Sequence, residues 1–297
     1  MPEGVGEMRL GIVMLGTGAY AAANIGAIRA LRARGIEPYA VCGMQTGAMI
    51  AALHLSGMDD SEMENALAHV MRGYKKMLRS RCASADLLAG RKSALLSGGA
   101  AARLLDGKGL DRLLGLCDRR GMFICRSASS GRRIIFSSRP YVQGTDAALT
   151  LQATVSFACC AALAKPPFLT SMTWLTSAIV PEENPAYAAD QLLRMGADRV
   201  LVIEPRACAC HKMDALELSD ARIRWMLDGP MPEGVGILRL MMPEDIGALA
   251  FGRMQRIAQI GYDGAQSQLD GALGALGMAM CRVIPFKQRA ADIIRRQ

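Results

Sequence analysis

Two glycine-punctuated turns hold the residues best placed to do chemistry. The first is Gly16-Thr17-Gly18-Ala19, which ends the apolar run Met8 to Leu15 and opens a helically spaced stretch from Tyr20 to Arg34. Amides at a helix N-terminus carry partial positive charge, so such a loop can hold an anion or stabilise an oxyanion. The second is Gly43-Met44-Gln45-Thr46-Gly47, between the short apolar run Pro38 to Cys42 and the helical stretch Ala48 to Leu55. A residue midway between two glycines on a strand-to-helix turn projects above the sheet, and a serine there serves as a nucleophile. The glycines permit the turn because a Cβ at either position would clash. Here the midpoint is Gln45, whose amide is not a nucleophile under ordinary conditions.

Other chemistry-bearing residues are weaker candidates. Thr46 and Thr17 carry hydroxyls near the apex, but the residue after an elbow apex points away and offers its backbone N–H instead. His54 and His69 fall on expected helices and His211 in a polar loop, with no serine or cysteine partner nearby in sequence. Cys208-Ala209-Cys210-His211 lacks a second ligand pair at zinc spacing, so no metal site is expected.

Those turns need a frame. Strand, glycine turn, helix, strand, glycine turn, helix is how a parallel α/β domain begins. A third helix is expected from Asp60 to about Lys76, with Asp59 or Asp60 as its N-cap. Beyond it, a turn at Gly107-Lys108-Gly109 leads into a helix from Leu110. Phe123 to Ser127 and Arg133 to Phe136 form a hairpin about Ser129-Ser130-Gly131. Small residues from Ala147 to Ala164 suggest a helix that stops before Pro166-Pro167. A helix from Pro185 to Met195 then leads into a strand from Arg199 to Ile203. A strand from Ile237 to Met242 and a long helix from Ala248 to Leu269 complete the pattern. Met1-Pro2-Glu3-Gly4-Val5-Gly6 recurs as Met231-Pro232-Glu233-Gly234-Val235-Gly236, which reads as two similar strand-entry loops.

In this order, the segments resemble the patatin-like phospholipase family. That family opens with a strand and a loop written S-G-G-G-x-R-G, where this chain has Leu15-Gly16-Thr17-Gly18-Ala19-Tyr20-Ala21. Its G-x-S-x-G elbow corresponds to Gly43-Met44-Gln45-Thr46-Gly47. Its central hairpin is similar to Gly131-Arg132-Arg133-Ile134-Ile135-Phe136, and its small-residue helix before a double proline to Ala158 through Pro167. Gly196-Ala197-Asp198-Arg199-Val200 is similar to its helix-to-strand junction.

The resemblance implies a three-layer α/β/α domain over residues 7–275 with a mostly parallel central sheet, followed by a basic helical tail over 276–297. It also implies lipid acyl hydrolysis by a serine–aspartate dyad, with the oxyanion held by amides of Gly16, Thr17, Gly18 and Ala19. Gln45 stands at the serine position. Thr176, in Thr176-Ser177-Ala178, stands at the aspartate position, and a threonine cannot accept a proton near neutral pH. No Asp or Glu lies between Asp146 and Glu182 to supply a base nearby, and Tyr20 replaces the loop arginine. The expectation is a catalytically inactive homologue that keeps a lipid-binding or protein-interaction role. The alternative is an active hydrolase with a relocated nucleophile. A second alternative starts from Gly11 to Gly18, which also resembles a dinucleotide-binding opening of an oxidoreductase. Ala21 stands where its third glycine would be, however, and Ala40 to Gln45 offers no acid for a ribose.

Bulk composition sets the setting. Of 297 residues 51% are apolar and only 5% aromatic, with 20 Met and 31 Gly, so the core must be aliphatic with close backbone approaches. The net charge of +8 is scattered, which argues for a solvated basic surface and no nucleic-acid partner. Its nearest cluster, Arg282, Lys287, Arg289, Arg295 and Arg296, leaves peripheral membrane contact open. Nine cysteines, several within apolar runs, and no secretory leader point to the cytoplasm, with thiols used as small hydrophobes. No cofactor is expected.

Overall fold

The computed structural model describes residues 8–78, 110–127, 130–142, 147–163, 179–208 and 223–278. The chain starts with β1 (Leu10–Met14), a short 3-10 turn (Gly18–Ala22), α1 (Ala23–Ala33), β2 (Ala40–Gly43) and α2 (Gly47–Leu55). This is the parallel opening that the apolar runs and glycine turns predict. Alternate residues of β1 serve opposite layers. Leu10, Ile12 and Met14 face α1, α2 and the long C-terminal helix, while Val13 and Leu15 face the other side.

Next come α3 (Asp60–Leu78), β3 (Arg120–Ser127), β4 (Arg133–Ser137), β5 (Ala147–Thr150), α4 (Val155–Leu163), β6 (Ile179–Pro181) and α5 (Pro185–Arg194). β7 (Arg199–Ala207), β8 (Val235–Met242) and α6 (Met254–Ala275) finish the described chain. The sheet runs β5-β4-β3-β2-β1-β7-β8, with β6 pairing β3. Pairing is parallel except at β3–β4 and β3–β6. The fold is therefore a mostly parallel α/β sheet with helices on both faces. Strand order reverses at β1, between β2 on one side and β7 on the other. Ligands of open α/β sheets bind at the carboxyl ends of strands beside such a reversal.

Three boundaries differ from expectation. Ala147–Thr150 is a strand paired in parallel with β4, and the helix starts only at Val155, where Thr154 Oγ1 accepts the Phe157 amide at 3.2 Å. Alanines tolerate either state, and the open edge of β4 decides. The helix expected from Leu110 is instead an irregular segment with one 3-10 turn, Leu114–Leu116, pinned by Leu114 N–H to Ala153 O at 2.8 Å. The long helix begins at Met254, not Ala248. In addition, β7 continues to Ala207 beyond the expected Ile203, and β6 has no counterpart in the sequence pattern. Asp59 and Glu62 form a reciprocal capping box at the start of α3, with bonds of 2.8 and 2.9 Å. The hairpin is in register from Met122↔Ser137 to Arg126↔Arg133. The second copy of the hexapeptide makes a turn with Gly234 at φ 77 before β8, while residues 1–7 lie outside the described residues. Thr176, His211 and the tail from 279 onward lie outside them too. No helix among the described residues is long and apolar enough to cross a membrane.

Candidate active site

The two glycine turns meet at the carboxyl ends of β1 and β2. Met44 N–H donates to Met14 O at 3.0 Å and Thr46 N–H to Gly16 O at 3.1 Å, so the second turn is stitched onto the first. A Cβ on Gly47 would overlap the Met14 carbonyl, and one on Gly43 would overlap the Ala48 backbone. Both glycines are thus required by backbone contact, as the elbow pattern predicts. Gln45 sits at the apex with φ 51, the one non-glycine residue with positive φ among the described residues. Its side chain is 8% exposed. A left-handed conformation costs an L-residue about 1–2 kcal/mol, and such strain gathers at functional turns.

That strain gives a test. Gln45→Gly is expected to raise stability by about 0.5 kcal/mol, since relief of the left-handed strain outweighs the entropy glycine adds to the unfolded chain. Thr46→Gly, at a residue with ordinary backbone, is expected to lower it. Urea denaturation of the two variants would show opposite shifts; a fall for both would mean that what the buried Gln45 side chain contributes outweighs the strain at its backbone.

The glycine loop holds its own amides. Gly18 N–H donates to Thr46 Oγ1 at 3.0 Å, Ala19 N–H to Ala248 O at 2.7 Å, and Tyr20 N–H to Thr17 O at 3.1 Å. The Gly18 and Ala19 amides, two of the four loop donors that could meet an anion, are thus engaged within the chain. Asn24, fully buried, donates Nδ2 to Leu15 O at 2.7 Å and Ala21 O at 3.0 Å, clamping both ends of the loop. Tyr20, at the loop-arginine position, is 1% exposed and donates its hydroxyl to Ile246 O at 2.9 Å.

Among the described residues, His54, Cys42 and Glu182 are unsuited to act as a base. His54 lies on α2 with 2% exposure; burial, helped by Arg119 and Arg32, pushes its imidazole down to about 3, so it is neutral near pH 7. Burial, with the charge of Glu182, drives the Cys42 thiol far above its ordinary range, which leaves it a core residue. Glu182, unmarked by the sequence reading, stands beside the carboxyl end of β3, where its amide donates to Ile124 O at 3.3 Å. Burial alone would raise its pKa. Hydrogen bonds from Arg126, Arg133 and the Asn184 amide overcome this and hold the carboxylate below the ordinary range. Its oxygens accept Arg126 at 2.8 and 2.9 Å, Arg133 at 2.7 Å, and the amides of Glu183 and Asn184 at 3.0 and 2.9 Å. A carboxylate so occupied is an anchor, not a proton acceptor. Glu204 on β7, buried beside the strand reversal, is raised by burial and is bonded by Arg206 and Arg239. Among the described residues, no three His, Cys, Asp or Glu come together as metal ligands.

No family model matches the chain, and no curated protein matches it in sequence. Solved structures do resemble it in shape. VipD from Legionella pneumophila superposes with a TM-score of 0.48 at 14% identity, over 90% of this chain and 67% of that one. Human GIVD cytosolic phospholipase A2, in complex with methyl γ-linolenyl fluorophosphonate, gives 0.47 at 13% identity, over 94% and 60%. Full-length ExoU from the type III secretion system of Pseudomonas aeruginosa, in complex with SpcU, gives 0.38 at 13% identity, over 90% and 53%. The chain thus spans between about half and two thirds of the length of these structures.

Proposed function

We propose that this chain is a patatin-like protein that has lost hydrolysis and acts by holding a lipid acyl chain or a protein partner. The observation that carries the proposal is the elbow itself. Gln45 occupies a strained apex built to present a nucleophile, while Gly18 and Ala19 give their amides to Thr46 and Ala248. One missing donor of an oxyanion hole typically costs about 3–4 kcal/mol of transition-state stabilisation, so the loop is deficient as well as the nucleophile. The ordered sequence motifs support the family assignment, and Thr176 at the aspartate position removes the base. Buried free thiols at Cys42, Cys117, Cys125 and Cys159 support work in a reducing cytoplasm.

The test is covalent labelling by a fluorophosphonate probe together with turnover of short acyl esters by the pure protein. Neither is expected. Gln45→Ser combined with Thr176→Asp is expected to stay at background, because the loop amides remain engaged. Turnover in the native protein that disappears in Thr46→Ala would overturn the proposal in favour of a relocated nucleophile.

A further inference from the structure

We propose that residues 243–253, between β8 and α6, are a latch whose surface end is coupled through hydrogen bonds to the elbow carrying Gln45. The latch deepens the non-catalytic reading, because it is what occupies the glycine loop.

The segment is closed at its base by charge. Asp245 Oδ2 accepts Arg253 Nη1 at 2.6 Å and Arg256 Nη1 at 2.7 Å, and the Asp245 carbonyl accepts Arg253 at 2.9 Å. Its inner side is apolar: Ile246 and Ala248 are fully buried and Phe251 is nearly so, while Leu249 is 50% exposed. From that inner side two carbonyls reach the glycine loop, Ile246 O to the Tyr20 hydroxyl and Ala248 O to the Ala19 amide. A Cβ on Gly18 would overlap the Ala248 carbonyl, so nothing fits between strap and loop. The strap must move before the Ala19 amide can meet anything else.

The relay continues inward. Ala19 follows Gly18, whose amide holds Thr46 Oγ1, and Thr46 N–H holds Gly16 O at 3.1 Å. Loosening the strap therefore frees the loop, and a freed loop releases the residue next to Gln45. The replacement of the loop arginine by Tyr20 has a purpose here. A buried arginine would bring a charge, whereas the phenol brings one donor to a backbone carbonyl without one. Tyr20 is a positioning residue for the strap.

Native-state amide exchange, read by NMR in the full chain, tests the coupling. Tyr20→Phe removes the tether and keeps the ring. Asp245→Ala removes the side-chain staple at a surface where that side chain is 51% exposed and leaves the core intact. Tyr20→Phe is expected to speed exchange at both Ala19 and Thr46 by roughly five-fold, the effect of one neutral hydrogen bond, and Asp245→Ala to speed both by a smaller factor, since an exposed ion pair contributes less, with no change in β1 or β2. Faster exchange at Ala19 with Thr46 unchanged would overturn the relay. A rise shared equally by β1 and β2 in both variants would also overturn it, since that reports global unfolding. No substrate enters the measurement, so esterase activity in the native protein would sink the non-catalytic reading and leave the latch standing.

Discussion

Glu182→Ala is expected to destabilise the protein by about 3 kcal/mol at pH 7, at the low end for breaking a buried ion pair because one arginine partner is partly hydrated. The carboxylate is 1% exposed, while Arg126 is 36% and Arg133 is 19% exposed. Removing it leaves two guanidinium groups facing each other across the end of the β3–β4 hairpin. It also strips the acceptor from the Glu183 and Asn184 amides, just where Asn184 Oδ1 caps α5 through Ala186 and Tyr187 at 3.0 and 3.2 Å. The pH dependence follows from the sign of the shift. The folded pKa is held below the ordinary glutamate value of 4.5, so the contribution is complete above that value and is lost as pH falls through the folded one. Denaturant midpoints at pH 7 and at pH 3 check this. The gap between native protein and variant should be wide at pH 7 and narrow in acid. A variant within about 0.5 kcal/mol of the native protein at pH 7, the scatter of an ordinary surface substitution, would refute the anchor role.

Glu182 also shows how much of the site could be read in advance. Its position in the chain marks only the first acid after a long acid-free stretch. What makes it an anchor is pairing of β6 with β3, which brings Arg126 and Arg133 around it from a hairpin some fifty residues earlier. The elbow was legible because its determinants are local: glycines at fixed offsets, an apolar strand before and a helix after. The φ of 51 at Gln45 agrees with that pattern, and the contacts of Met44, Thr46 and Gly47 with Met14 and Gly16 hold the turn in place. The strap was not legible, since Gly247-Ala248-Leu249-Ala250 has the composition of a helix start. Contacts with Tyr20 and Ala19, more than 220 residues away, hold it out of helical geometry. The same rule covers Ala147–Thr150, where the free edge of β4 overrides a helix-tolerant sequence. The elbow at Gly43 to Gly47 is written in its local sequence, whereas the strap and β5 are shaped by distant partners.

The position of the strap depends in turn on how closely α6 packs on α1, and this yields a prediction whose sign is decisive. Gly26→Ala should raise stability by about 1 kcal/mol if helix propensity governs, because alanine is the better helix former. Packing predicts the reverse. A Cβ on Gly26 would overlap the Ala258 carbonyl and the Tyr262 amide, and one on Gly261 would overlap the Ala23 carbonyl. These are backbone atoms of two helices, so no side chain can turn aside. The helices must separate, and Ala27, Ala258 and Ala265, all fully buried, lose contact with them. A loss of about 3 kcal/mol is expected, at the upper end for overpacking. Gly271→Ala, in the same helix α6 but with open space where its Cβ would go, isolates the propensity effect and should stabilise. Thermal midpoints of the two variants should therefore move in opposite directions. If both rise, the α1–α6 contact is looser than its geometry requires, and α6 does not fix the strap. If Gly26→Ala falls and also speeds exchange at Ala19, then the close glycine crossing of the two helices is what seats the strap on the loop beside Gln45.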